Sequence, residues 1–365
     1  MLPTIAAIMI VSLICAGLAA LLVVADRVIA DYPECAITVN DRRKIALKGG
    51  KSLLEALMAE KVFVPSACGG RGTCGYCKVK ILEGGGPLLP TEEPFLAADE
   101  KADKVRLSCQ VKVRNDMTIS IPEELLAVQE YECVCTGIKD LTSTIREFRF
   151  ELKEPGKIEY VPGQYVQLLA PAYEGSPEEV YRAYSVSSDP ADNGHVELVI
   201  KLVPGGICTT YCFEHLKEGD AARMNGPYGE FRLSDSDAKA IFIAGGSGMA
   251  PIKCMLHHLL NTGSRRPAVY FFGANRVNEL FYLDEMRKFE KGLYDFQFVP
   301  VVADPAGERW DGDTGLVTEA IDRSIQDVSD REGYLCGNPA MIEAAVAVLK
   351  KHGMKEENIF YDSFA

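Results

Sequence analysis

A chain of 365 residues is long enough for two or three domains. With 47% hydrophobic and 25% charged residues it has a globular balance, which excludes a disordered, collagen-like or polytopic membrane chain. The formal net charge is −13, with 14 basic against 15 acidic side chains over residues 31–130 and 24 against 36 over residues 131–365, so no nucleic-acid partner is expected. Twelve cysteines are too sparse for a small disulfide scaffold, and a reduced, cytosolic compartment fits them better.

Residues 2–25 carry no charge, and as a helix they reach about 36 Å, enough to span a ~30 Å hydrocarbon core. No Lys or Arg precedes Arg27, unlike a secretory signal, whereas Arg27, Arg42, Arg43 and Lys44 follow the segment. The expectation is a retained single-pass anchor over residues 1–30, in the cell membrane, with the soluble domains in the cytoplasm.

Residues 31–130 open with two alternating runs, 36–40 and 44–47, around a turn at Asp41–Arg42, and Ser52 then starts a helical pattern through Leu53, Leu54, Leu57 and Met58. Next comes Cys68-Gly-Gly-Arg-Gly-Thr-Cys74-Gly-Tyr-Cys77, followed by Cys109 between strand-like runs at 105–107 and 111–113. Four thiolates are what a [2Fe–2S] cluster needs, and Gly69, Gly70, Gly72 and Gly75 let the backbone wrap around it. Tetrahedral zinc is the rival, but a zinc site usually pairs two short Cys-x-x-Cys knuckles and here the second is missing.

Residues 131–235 change character. Short alternating runs at 132–138, 147–152 and 165–169, with Pro-Gly turns between, predict an antiparallel β-barrel. Arg182-Ala-Tyr184-Ser185 places a guanidinium and an aromatic plane on one strand face, suited to a pyrophosphate and a flavin ring. Pro204-Gly205-Gly206-Ile-Cys-Thr209-Thr210 leads into a helix and offers N–H groups and hydroxyls to a phosphate.

Residues 236–365 predict a doubly wound parallel α/β sheet, with strands at 240–244, 268–272, 296–302 and 334–336. Gly245-Gly246-Ser247-Gly248-Met-Ala-Pro251 feeds a helix at 252–260, where backbone amides can cradle a dinucleotide. Cys336-Gly-Asn-Pro339 precedes a helix at 340–349 and ends another strand; Cys336 is either at the ligand edge or simply core filling. Directly after 268–272 the stretch Gly-Ala-Asn275-Arg276 offers a single Arg, where recognition of a 2′-phosphate wants clustered basic groups, so NADH is expected over NADPH.

Taken in order, these motifs resemble the ferredoxin–NADP reductase superfamily with a ferredoxin fused in front. Ser-Ala-Cys68-Gly-Gly, Leu89-Pro-Thr-Glu92, Ser108-Cys109-Gln-Val, Ile121-Pro-Glu-Glu124, residues 245–251, Trp310-Asp-Gly-x-Thr-Gly315 and the aromatic C-terminus narrow the resemblance to one family, the F subunits of sodium-translocating NADH:quinone oxidoreductases. It implies an α+β and α/β multidomain chain: a transmembrane helix, a β-grasp 2Fe-2S ferredoxin domain, a β-barrel FAD domain and an NADH domain. It further implies cluster ligands Cys68, Cys74, Cys77 and Cys109, flavin contacts Arg182, Tyr184, Ser185 and Thr209, and a nicotinamide site near residues 245–251 and Cys336. Phe364 would cover the flavin ring, and the partners would be other subunits of a membrane redox complex and, through them, quinone. The stretch 170–181 is shorter here than in that family. The alternative is the NADH-dependent reductase component of an oxygenase, which shares the three modules but is generally soluble.

Overall fold

Alternation of Ile37, Val39 and Ile45 on one side of a hairpin starts the first sheet of the computed structural model, which describes residues 9–19, 21 and 32–363. Residues 9–19 are helical with exposed side chains; the rest of the expected anchor, apart from residue 21, and Phe364 lie outside the described residues. Among the described residues no helix is long and apolar enough to cross a membrane. The chain divides into two units, one running to Pro65 and resuming over Gly70–Ala127, the other comprising Ser66–Gly69 and Val128 onward.

In the first unit β1 (Glu34–Val39), β2 (Arg43–Lys48), β3 (Lys78–Glu83), β4 (Val105–Leu107) and β5 (Met117–Ser120) form a mixed sheet in the order β2-β1-β5-β3-β4. Its centre is the parallel β1–β5 pair. The turn takes in the expected Asp41–Arg42 and begins one residue earlier, at Asn40, with Asn40 and Asp41 at the positive φ values of 50° and 54°. Ser52 and Glu55 cap the helix Leu53–Ala59 reciprocally, and its buried face of Leu53, Leu54, Ala56 and Leu57 joins the core under the sheet. The run 111–113 is not a strand. Val111 and Val113 are both buried, and between them Lys112 makes only an isolated antiparallel bridge to Ser52.

The second unit begins with β6 (Gln129–Asp140), β7 (Ile145–Glu154), β8 (Tyr165–Ala170), β9 (Val180–Ser185), β10 (His195–Lys201) and β11 (Ala221–Tyr228), all antiparallel in the order β10-β7-β6-β11-β8-β9. A bridge between Val186 and Leu198 joins the two edges and closes the barrel. Phe148, Phe150, Leu168 and Leu198 fill its interior, each worth roughly 1.5–3 kcal/mol on burial.

The same unit continues as β12 (Ala240–Gly245), β13 (Ala268–Ala274), β14 (Phe296–Val302), β15 (Asp313–Thr314), β16 (Glu332–Gly337) and β17 (Ile359–Ser363), parallel throughout in the order β15-β14-β13-β12-β16-β17. From β12 the chain steps outward through β13 and β14, then crosses back to β16. The order therefore reverses beside β12, and a crevice opens at the carboxyl ends of β12 and β16. Helices Met249–Asn261 and Pro339–Lys351 start at that edge.

Candidate functional site

The cysteine loop is shaped by glycine. Gly70, Gly72 and Gly75 have φ of 85°, 75° and 73°, and a Cβ at Gly72 would meet the Gln110 amide at 2.5 Å, so larger residues cannot follow this path. The structure brings Cys77 and Cys109 into hydrogen-bonding reach, and that contact, more than burial, pushes the Cys77 thiol up. Cys74 lies on the same loop, and Cys68 lies in the Ser66–Gly69 stretch. No three metal-binding side chains are gathered into one group among the described residues. The donor set still fits an iron–sulfur group by its chemistry: only thiols, on a glycine loop, with one pair already touching.

On β9 the barrel carries Arg182, Tyr184 and Ser185, paired across β8 with Leu168, Val166 and Tyr165. Alternation puts Arg182 and Tyr184 on one face. Arg182 donates to its neighbour's carbonyl at Tyr181 (2.7 Å). Burial pushes the Tyr184 phenol well up, so it stays neutral, and it touches Cys208. Gly206 precedes the short helix Ile207–Thr210, and the Thr209 hydroxyl closes the turn by accepting from the Val203 amide and lying 3.2 Å from the carbonyls of Val203 and Gly206. A Cβ on Gly206 would sit 2.6 Å from that hydroxyl.

At the sheet edge Gly245 and Gly273 pair in register. A Cβ on Gly248 would lie 2.2 Å from the Cys336 carbonyl oxygen, so the turn Gly246–Gly248 packs directly on the end of β16. The helix Met249–Asn261 has no side-chain cap, which leaves its first amides to backbone turns and to a ligand. Here too the residues fit the expected group. Cys336 is fully buried between β12 and β17, so its side chain is core while its backbone borders the crevice. Opposite it on β17, half-buried Asp362 is pushed up to about 6 by desolvation.

One cluster went unseen in the sequence. Lys253, 3% exposed, reaches Glu197 (2.9 Å), Glu147 (3.3 Å) and Glu285 (3.7 Å) and lies over the Tyr282 ring. Desolvation works against its charge, but the three carboxylates outweigh it and hold the amine above its usual range. This ties the nucleotide helix to β7 and β10 of the barrel. The signal was present: a lone Lys inside the apolar run Met249–Leu256.

Three domain models match in order: a 2Fe-2S iron-sulfur cluster binding domain over residues 37–114, an oxidoreductase FAD-binding domain over 132–233 and an oxidoreductase NAD-binding domain over 242–347. The chain thus carries the modules for a [2Fe–2S] cluster, FAD and NADH. Among solved structures, the cytochrome P450 reductase GcoB of Amycolatopsis is similar with a TM-score of 0.72 at 28% identity, covering 90% of this chain and 98% of that one. The ferredoxin reductase of carbazole 1,9a-dioxygenase shares the fold, with a TM-score of 0.70 at 22% identity over 91% and 99%. The F subunit of Na(+)-translocating NADH-quinone reductase in Neisseria gonorrhoeae (strain ATCC 700825 / FA 1090) is 32% identical, covering 95% of this chain and 96% of that protein. Its namesake in Idiomarina loihiensis (strain ATCC BAA-735 / DSM 15497 / L2-TR) is 33% identical over 95% of each. The chain is an NADH-oxidising oxidoreductase and belongs to the family of F subunits of Na(+)-translocating NADH-quinone reductases.

Proposed function

We propose that this protein is the membrane-anchored entry subunit of a sodium-translocating complex, passing electrons from NADH to FAD, to the [2Fe–2S] cluster, to a membrane partner and on to quinone. The observation that carries the reading is the end-to-end likeness to its F-subunit relatives, all three cofactor modules included. The helical residues 9–19 support the anchor, since Met9, Ile10, Val11, Leu13, Ile14 and Leu18 are each more than half exposed and need a cover. The soluble domains then lie in the cytoplasm, residues 1–30 forming the anchor and 31–130, 131–235 and 236–365 the ferredoxin, FAD and NADH domains.

When bound, FAD would supply the link between the electron pair of the NADH hydride and the single electrons that a one-electron centre takes. The chain's own residues place and insulate that exchange. Cys68, Cys74, Cys77 and Cys109 hold the cluster. Arg182 neutralises a pyrophosphate, the neutral Tyr184 phenol and Ser185 line the flavin ring, and Gly206 with Thr209 shapes the phosphate turn. Gly245, Gly246, Ser247 and Gly248 cradle the nicotinamide dinucleotide, with the Cys336 backbone at its edge. Phe364, outside the described residues, is the aromatic that the family resemblance would assign to the flavin ring.

The test pairs two variants. Removing residues 1–30 leaves a soluble, flavin-containing protein that still oxidises NADH, and Cys77→Ala loses the paramagnetic signal of the reduced cluster while NADH still bleaches the flavin. Loss of flavin together with the cluster overturns the domain assignment. The likeness to a P450 reductase favours a second reading, an oxygenase reductase component. Co-purification of an oxygenase, rather than membrane subunits, from solubilised membranes establishes it instead.

A further inference from the structure

We infer that Gln110 sets the reduction potential of the [2Fe–2S] cluster by donating its side-chain N–H to the sulfur of Cys109, with Thr91 as the residue that orients it. This rests on the reading above that Cys109 is a cluster ligand. The Gln110 Nε2 lies 3.6 Å from the Cys109 Sγ, and the Thr91 hydroxyl donates to the Gln110 Oε1 at 3.1 Å. Thr91 therefore claims the amide oxygen, and the amide nitrogen is the end that faces sulfur. Rotating the amide would set oxygen lone pairs against a thiolate, so the ligating form of Cys109 favours the same orientation. Space for the contact comes from Gly72 in the cysteine loop, where a Cβ would fall 2.5 Å from the Gln110 nitrogen.

The segment Leu89-Pro-Thr-Glu92 has no other evident task, and its next residue explains how Thr91 is held. Glu92, fully buried, accepts from Arg106 Nε at 2.9 and 3.0 Å, from Arg106 Nη2 at 2.5 Å, and from the backbone amides of Leu107 (2.9 Å) and Leu89 (3.0 Å). Arg106 also donates to the carbonyls of Gly85 and Gly86 at 3.0 and 3.1 Å. One residue thus pins the segment to the strand that runs into Cys109, and its neighbour reaches over to that ligand's sulfur through Gln110.

Electron transfer into the cluster adds one negative charge, shared by the ligand sulfurs, with no bond made or broken. An N–H donor stabilises the more negative state more, so its removal lowers the potential. Gln110 is not a ligand; it acts on one, and Thr91 acts through Gln110.

The experiment is a redox titration of the full chain in detergent, followed by the paramagnetic signal of the reduced cluster, with iron and acid-labile sulfide measured for each variant and the flavin titrated as an internal reference. Gln110→Leu shifts the one-electron equilibrium about tenfold toward the oxidised cluster, ~59 mV. Gln110→Glu shifts it further, by setting a carboxylate against the sulfur. Thr91→Val gives a smaller shift in the same direction, Thr91→Ser restores the original value, and the flavin potential does not move. An unchanged cluster potential in loaded Gln110→Leu overturns the inference. If that variant holds no cluster, Thr91→Val decides on the same criterion. Loss of the cluster from both variants makes the contact a structural clamp and overturns tuning. A parent chain without iron or sulfide fails the ligand assignment itself, a separate result.

Discussion

Arg106 and Glu92 form a salt bridge with side chains 7% and 0% exposed. Breaking it from one side strands a charge in the core. Arg106→Met is expected to destabilise the ferredoxin domain by about 3–5 kcal/mol, whereas Arg106→Met with Glu92→Leu recovers much of that loss; urea titrations of the cluster's visible absorbance measure both. Asp362 has the opposite problem, since among the described residues no ion pair offsets the desolvation of its charge. Its folded pKa of about 6 exceeds the unfolded carboxylate value near 3.9, so the folded state binds the proton more tightly. Stability is consequently lost as pH rises from about 4 to about 6 and stays lost above that. Asp362→Asn should match the parent near pH 4 and exceed it by on the order of 1–2 kcal/mol at pH 7, the lower figure reflecting partial exposure. Thermal unfolding across that range checks the sign.

Among elements, the turn Gly246–Gly248 leaves no room for a side chain at Gly248. Gly248→Ala forces a methyl group into the Cys336 carbonyl, so β12 and β16 must part at their carboxyl ends. Affinity for NADH is expected to fall at least about tenfold, ~1.4 kcal/mol, while FAD content holds because the barrel is untouched; equilibrium binding and flavin content measure the two. Strands β6, β7, β8, β12, β13 and β14 were legible because their apolar periods are long and their bounding turns carry Pro or Gly. The strand β17 was not read from its sequence. Its residues Ile359–Ser363 show no clean alternation, and only pairing with β16 makes them a strand. The run 111–113 is strand-like only as far as an isolated bridge from Lys112 to Ser52, since two buried valines two apart suggest more pairing than the neighbouring chain supplies.

For the whole molecule, sequence order carried the cofactor modules better than any one motif, because a lone Arg-x-Tyr-Ser or glycine turn is common while their succession is rare. What it could not carry were partners distant in the chain: Lys253 with Glu147 and Glu197, or Thr91 with Gln110. Coenzyme choice also belongs at this scale. Arg276, the single basic residue of the Gly-Ala-Asn-Arg stretch at the end of β13, is paired with the carboxylate of Asp304 and donates to its carbonyl at 3.1 Å. A 2′-phosphate there would meet a neutralised guanidinium beside a negative charge. The kcat/KM for NADH should exceed that for NADPH by at least about tenfold, and Asp304→Asn should narrow the gap by freeing the Arg. Equal efficiencies in the parent would contradict this account.

The strand order of the parallel sheet also sets a timetable. On the ribosome, β12 emerges long before its neighbour β16, and until Glu332 meets Ala240 one side of the central strand is bare. The β-sheet of the first unit is complete once β5 has been made, while the nucleotide sheet is still being translated. Maturation of the nascent chain is therefore staggered: the sheet beside Cys77 and Cys109 can form while the coenzyme site does not yet exist.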